Sequence, residues 1–259
     1  MFCGAEMRNI KLTIEYEGTA YLGWQRQPQG MTIQQALEEA LGQITGEMPQ
    51  VTGASRTDTG VHARGQVANF KTDSAIPVER IQSALNALLP LDIAIVAAEE
   101  VPEDFNARFS ARSKLYHYTI WNQRVRSVLD RRFCWHVRWP LELEPLRAAS
   151  QCLIGEHDFA AFRSAHAQSE TTVRVIERAD WDLNVPRLTF AVEANGFLYN
   201  MVRALVGTLL EVGRGKITPA EFRRVLESGE RAQAGRTAPA RGLCLTRIRY
   251  DAPAPISSP

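Results

Sequence analysis

The densest cluster of reactive side chains lies between Ser55 and Gly65, where Arg56, Thr57, Asp58, Thr59, Gly60, His62 and Arg64 follow closely. Two readings fit it. Asp shortly before Gly is ordinary turn chemistry, because the carboxylate bonds its own backbone and Gly supplies a positive φ. The same loop also offers a lone carboxylate flanked by arginines, which lower its pKa and keep it ionised at neutral pH. An ionised carboxylate acts as a nucleophile without a general base to activate it. A second feature is basic. Residues 106–133 hold seven Lys and Arg (108, 112, 114, 124, 126, 131 and 132) against one acid, Asp130, interleaved with Phe109, Tyr116, Tyr118, Trp121 and Phe133. Any one of these arginines reads as a solvated surface group. As a cluster they predict a nucleic-acid partner, since arginine forks suit phosphate oxygens and aromatic rings stack on unpaired bases. The third feature is Arg203, set among Leu198, Met201, Val202, Leu205, Val206 and Leu209. Such an arginine either snorkels to water or is buried against a carboxylate, for which Asp58 is a fitting partner. His62 and His157 read as structural or surface groups.

The rest of the composition narrows the class. With 45% hydrophobic and 23% charged residues in 259, the chain fits a soluble globular protein and neither a disordered nor a collagen-like one. The formal net charge of +1 points to no partner by itself; only its concentration in 106–133 does. Cysteines at 3, 134, 152 and 244 lack C-x-x-C spacing, and histidines at 62, 117, 136, 157 and 166 lack a ligand-like pair. Reduced thiols, no metal and no cofactor are therefore expected. No apolar run approaches the ~18–20 residues of a membrane span, and MFCGAEMRNI lacks a signal peptide's basic start and apolar stretch. A cytoplasmic protein is the expectation.

These residues need a scaffold, and the periodicities predict an α+β one. Ile10, Leu12, Ile14 and Tyr16 alternate with polar residues in a first strand. A long loop, 18–30, leads to a helix opened by a Thr32–Gln35 capping box, with Ile33, Ala36, Leu37, Ala40, Leu41 and Ile44 on one face. Strands around 50–55 and 66–72 bracket the Asp58 loop. A helix starts at Pro77 with Ile81, Leu85 and Leu88 inward, and a buried strand follows over 93–101. The second half nearly repeats this order: strands at 114–122, 173–183, 187–195 and 242–250, helices at 144–154, 198–212 and from Thr218. On strand 114–122, Lys114, Tyr116, Tyr118 and Ile120 share one face, and spacing alone does not separate core tyrosines from pocket tyrosines. The reading is two α+β halves, 8–110 and 111–250, each with helices packed on mainly antiparallel sheet, and a disordered tail over 251–259.

The runs EYEGTAYLGWQRQ, TIQQALEEAL and SRTDTGVHARGQVANF, followed in order by FNARFSARSKLYHYTIWN, CLIGEHDFAAFR, NGFLYNMVRALVGTLLEVG and GLCLTRIRY, resemble the TruA family of tRNA pseudouridine synthases. The resemblance runs from about residue 8 to 250. It implies the pseudouridine synthase fold, with a catalytic cleft between the halves, and isomerisation of uridine at positions 38, 39 and 40 of the tRNA anticodon stem-loop without metal or cofactor. Residue by residue, Asp58 resembles the essential nucleophile and Tyr116 the tyrosine that packs on the target base. Arg203 resembles the arginine paired with the aspartate, Leu243 the apolar residue lining the base pocket, and Arg56 the arginine that holds or replaces the extruded nucleotide. The resemblance also implies a homodimer with tRNA lying across both subunits. One departure is Lys114-Leu115 where family members often carry Arg-Arg, which bears on RNA affinity. A tRNA-binding protein or RNA chaperone without chemistry would explain the basic stretch but leaves Asp58 and Arg203 idle. A glycoside hydrolase would need a second facing carboxylate, which the Asp58 loop does not supply.

Overall fold

A computed structural model describes residues 7–164 and 171–251. Cys3, His166 and the expected tail from 252 onward lie outside them. Asp251, expected to open that tail, pairs with Arg112.

Alternation makes β1 (Arg8–Tyr16) a strand with Ile10, Leu12, Ile14 and Tyr16 buried. α1 (Ile33–Thr45) is capped by Thr32, which accepts from the Gln35 N–H at 3.2 Å, and it ends at Gly46 with φ 73°. The capping box is half made, because the Gln35 amide turns to Glu39. β2 (Thr52–Gly53) and β3 (His62–Thr72) follow, then α2 (Val78–Leu88) and β4 (Ile93–Val101). Two details depart from expectation. Leu88 is exposed and Leu89 buried, because Pro90 forces the residue before it into the extended region and so ends the helix one residue early. β4 is buried mainly at Ile93 and Ile95, since it forms the sheet's edge.

The second half comprises β5 (Ala111–Asn122), β6 (Trp135–Val137), α3 (Leu143–Gln151), β7 (Gly155–Asp158), β8 (Val173–Asn184), β9 (Arg187–Ala194), α4 (Met201–Gly213), α5 (Pro219–Ser228) and β10 (Leu243–Tyr250). β6 and β7 interrupt the simple repeat of the first half; they are too short, and β7 too polar, to announce themselves by pattern. α4 begins at Met201 rather than 198 because Asn200 is left-handed, φ 62°. α5 has the full capping box, Thr218 with Glu221, and Pro219 in its first turn.

The strands form one mainly antiparallel sheet in the order β4-β1-β3-β10-β5-β9-β8-β7. β10 decides how the site is assembled. It pairs antiparallel with β5, placing Leu243 opposite Tyr118, and parallel with the start of β3, placing Cys244 opposite His62. The last strand of the chain therefore joins the strands of the first half to those of the second. Because β3 has a partner there, it begins at His62, four residues earlier than its own sequence suggests. The short segment before His62 carries Asp58, and it opens directly onto this junction.

Candidate active site

Asp58 sits on a tight turn closed by the Val61 N–H donating to the Asp58 carbonyl at 3.1 Å, with Gly60 at φ 77°. The turn reading is met, and the turn presents the carboxylate to the cleft described below. The loop 18–30 buttresses it. Trp24 N–H donates to the Thr57 carbonyl at 3.1 Å, and Gly23, at φ 87°, lies so close that a Cβ would stand 2.5 Å from that same oxygen. Behind it the Tyr16 and Thr57 hydroxyls share a buried hydrogen bond of 2.8 Å. Asp58 thus rests on a backbone held from two sides.

Arg203 comes from the first turn of α4. Its Nη1 donates to Asp58 Oδ2 at 3.2 Å and to Asn200 Oδ1 at 2.7 Å, while Nε donates to the Ala238 carbonyl at 2.7 Å. The buried-pair reading holds, with side-chain exposures of 18% for Arg203 and 11% for Asp58. One electrostatic expectation is corrected. Arginine was expected to hold the Asp58 pKa low, yet its direction is upward: burial raises it more than the Arg203 charge and hydrogen bond lower it. Arg203 limits the rise and aims the carboxylate.

A cleft of about 920 Å³ opens over this pair. Tyr116 and Leu243 line it, and Arg56 stands exposed on its rim. The Tyr116 hydroxyl shares a 3.0 Å hydrogen bond with Ser55, and its ring meets Phe197 edge-on at 5.2 Å. Tyr116 is therefore buried and also walls the cleft, whereas Tyr118 is wholly core, donating to the Pro239 carbonyl. Asp58, Tyr116, Leu243 and Arg56 come together in one cavity, with Arg203 behind Asp58. Ser55, Asn200, Phe197 and the Ala238 carbonyl complete the arrangement without having been singled out. Asn200, an Asn just ahead of a helix, carried a readable signal; a backbone carbonyl 35 residues from its arginine carried none.

With the geometry in place, relationships to known proteins become informative. A family model described as tRNA pseudouridine synthase matches residues 12–110 and 149–251. The chain belongs to the tRNA pseudouridine synthase family. Members of this family are isomerases acting on uridine in tRNA. Among its relatives, tRNA pseudouridine synthase A 2 of Clostridium perfringens is 48% identical over 94% of this chain and 100% of its own length. tRNA pseudouridine synthase A of Citrifermentans bemidjiense is 49% identical over 95% of this chain and 98% of its own. Among solved structures, a Cbf5-Nop10-Gar1 complex overlaps loosely, with a TM-score of 0.41 and 12% identity over 92% of this chain and 49% of that one.

Asp58, Arg203 and Leu243 fall within the stretches matched by the synthase model, and Tyr116 in the interval between them. That interval also holds most of the basic stretch, which the fold divides. Arg108 and Lys114 line the cleft; Arg124 and Arg126 are exposed beyond the end of β5; Arg131 and Arg132 bond the Val128 carbonyl and Glu17. His62 is buried and structural and His157 bonds the Ile154 carbonyl, as expected of both. Cys134, Cys152 and Cys244 are free thiols. Among the described residues no group of three or more His, Cys, Asp or Glu could hold a metal ion, and no helix is long and apolar enough to cross a membrane.

Proposed function

We propose that this cleft isomerises uridine to pseudouridine at positions 38, 39 and 40 of the tRNA anticodon stem-loop, with Asp58 as the nucleophile. The observation that carries the reading is the Asp58–Arg203 pair in a cleft whose other charged lining residues, among the described ones, are all basic: Arg26, Arg56, Arg108, Lys114 and Arg174. A polyanion is drawn to such a cleft, and Asp58 is aimed by Arg203, which opposes the rise in its pKa, an electrostatic preorganisation.

In the reaction the N1–C1′ bond breaks, the base turns, and C5 bonds C1′. The C5 hydrogen leaves to water and N1 takes up a proton, so there is no net oxidation. Attack at C1′, addition at C6 and removal of the 2′ proton all require ionised Asp58. The uridine must first leave its stack, at a cost of a few kcal/mol. Tyr116 and Leu243 offer the flat and apolar surfaces that receive the base, and Arg56 on the rim is placed to fill the space it vacates. The protein acts in the cytoplasm as a homodimer with tRNA across both subunits, a reading supported by the resemblance noted above. A fully active monomer, measured by sedimentation alongside turnover, would contradict it.

The decisive experiment is tritium release from tRNA labelled at uridine C5. Wild type should release the label; Asp58→Asn should lose on the order of 10³-fold or more while tRNA affinity stays within a few-fold. Normal turnover by Asp58→Asn refutes the nucleophile. Binding without release by wild type leaves a tRNA-binding protein.

A further inference from the structure

Lys114 occupies the cleft in a state that none of the steps above uses. It lies on the Tyr116 face of β5, two residues earlier and about 6–7 Å along the strand, and its Nζ donates to the Ala54 carbonyl at 2.7 Å. An ammonium has three donors. Among the described residues this one makes no second hydrogen bond and no ion pair. Arg108, from the segment ahead of β5, and Arg174, from β8, line the same cleft and repel it. Burial, and then those two guanidiniums, pull the Lys114 pKa down to about 8. The other ionisable groups lining the cleft, among the described residues, are Arg26, Arg56, Tyr116, Tyr199 and Asp58, and the last is engaged with Arg203.

A half-buried ammonium beside two like charges, without a carboxylate partner, is costly to fold. A structural lysine bonding one carbonyl does not need that company. Lys114 has no anionic partner among the described residues, and an RNA phosphodiester supplies one through charge-assisted hydrogen bonds. The spacing indicates which phosphodiester. Tyr116 reaches Ser55 and Lys114 reaches Ala54, so neighbouring side chains of β5 touch neighbouring residues of the segment that leads into Asp58. The two residues stand about 6–7 Å apart along the strand backbone, which is the scale of a single nucleotide. We propose that Lys114, flanked by Arg108 and Arg174, seats the backbone phosphate adjacent to the target uridine and thereby registers that nucleotide against Asp58. This rests on the uridine-isomerase reading and adds a positioning residue to it.

The test pairs Lys114→Met with anticodon stem-loop RNAs in which one phosphate at a time around the target is replaced by a neutral methylphosphonate. Affinity is measured by direct binding, and turnover by tritium release. Lys114→Met should weaken binding about 10-fold, lower kcat about 10-fold because the nucleotide is no longer registered against Asp58, and lower the salt slope by about one. One linkage next to the target should weaken wild type by a similar factor and have no further effect on Lys114→Met, a non-additive cycle. Additive losses at every linkage would mark the lysine as structural and overturn the proposal. So would a wild-type scan in which no linkage adjacent to the target matters by more than about two-fold, whether or not Lys114→Met folds. Binding that obeys this pattern without tritium release would sink the isomerase reading alone.

Discussion

The cleft that holds Asp58 and the cavity behind it use opposite faces of the same strands. Lys114 and Tyr116 face the cleft while His117 and Thr119 face the rear; Leu243 opens forward and Cys244 backward. The two spaces are of similar size, about 920 and about 840 Å³. By residue type the rear holds the imidazoles and the thiol, His62, His117 and Cys244, where the cleft offers Asp58, Lys114 and two tyrosines. Yet those groups are engaged or silenced. His62 Nδ1 accepts from the Gly18 N–H at 3.1 Å, so Nε2 carries the proton it donates to the Arg132 carbonyl at 2.9 Å. Burial lowers the pKa of His62 and His117 and pushes the Cys244 thiol up to about 11. The histidines and the thiol of the rear cavity are thus disfavoured in their charged forms, although Glu15, Glu17, Arg64, Asp92 and Arg187 also line it. The cleft holds a carboxylate under tension between burial and an arginine, and Lys114, whose ammonium has no carboxylate partner among the described residues. Residue type nominates both spaces; the carboxylate buried against an arginine distinguishes the cleft.

The sharpest way to break this comparison is to remove the arginine. Arg203→Met should lower kcat on the order of 10²-fold and move the acid limb of the kcat–pH profile upward. The sign follows from Asp58: its pKa is already raised and the reaction needs it ionised, so activity falls as pH drops through that value. Without Arg203, burial is less opposed and the fall begins at a higher pH. An unshifted limb would mean that Arg203 does not set the charge on Asp58.

A smaller effect is expected behind the sheet. His62→Ala should keep turnover within a few-fold while costing roughly 1–2 kcal/mol of stability from lost hydrogen bonds, read by urea melts. Its folded pKa is depressed, so the unfolded state takes up the proton more readily. Stability is then fully present above about pH 6.5 and is lost as pH falls below it. Melts of His62→Ala at pH 5.5 and 7.5 should differ less than those of wild type. The smallest change is Cys244→Ser, for which turnover should be unchanged, and the wild-type thiol should alkylate slowly near neutral pH because it remains protonated. A loss in either rear variant as large as that of Arg203→Met would reverse the ranking of the two faces.

What could be read from residue order alone was whatever near neighbours decide. Alternation set β1, the Thr218–Glu221 box and Pro219 set the start of α5, and Asp58 ahead of Gly60 set a turn. Even Arg203 was legible as an arginine requiring either water or a carboxylate. These are short-range matters of sterics, side-chain periodicity and local hydrogen bonds. The remainder depended on contacts distant in the chain. β3 begins at His62 because β10 pairs with it, and β6 and β7 are strands because they lie against β5 and β8. The basic stretch, continuous in sequence, was divided between the cleft and other surfaces. The charge state of Asp58 was likewise decided in three dimensions. Flanking arginines in the sequence implied a low pKa, but the fold left Arg56 on the rim and buried the carboxylate against an arginine 145 residues away. Desolvation is a property of everything packed around a group, so no local pattern encodes it.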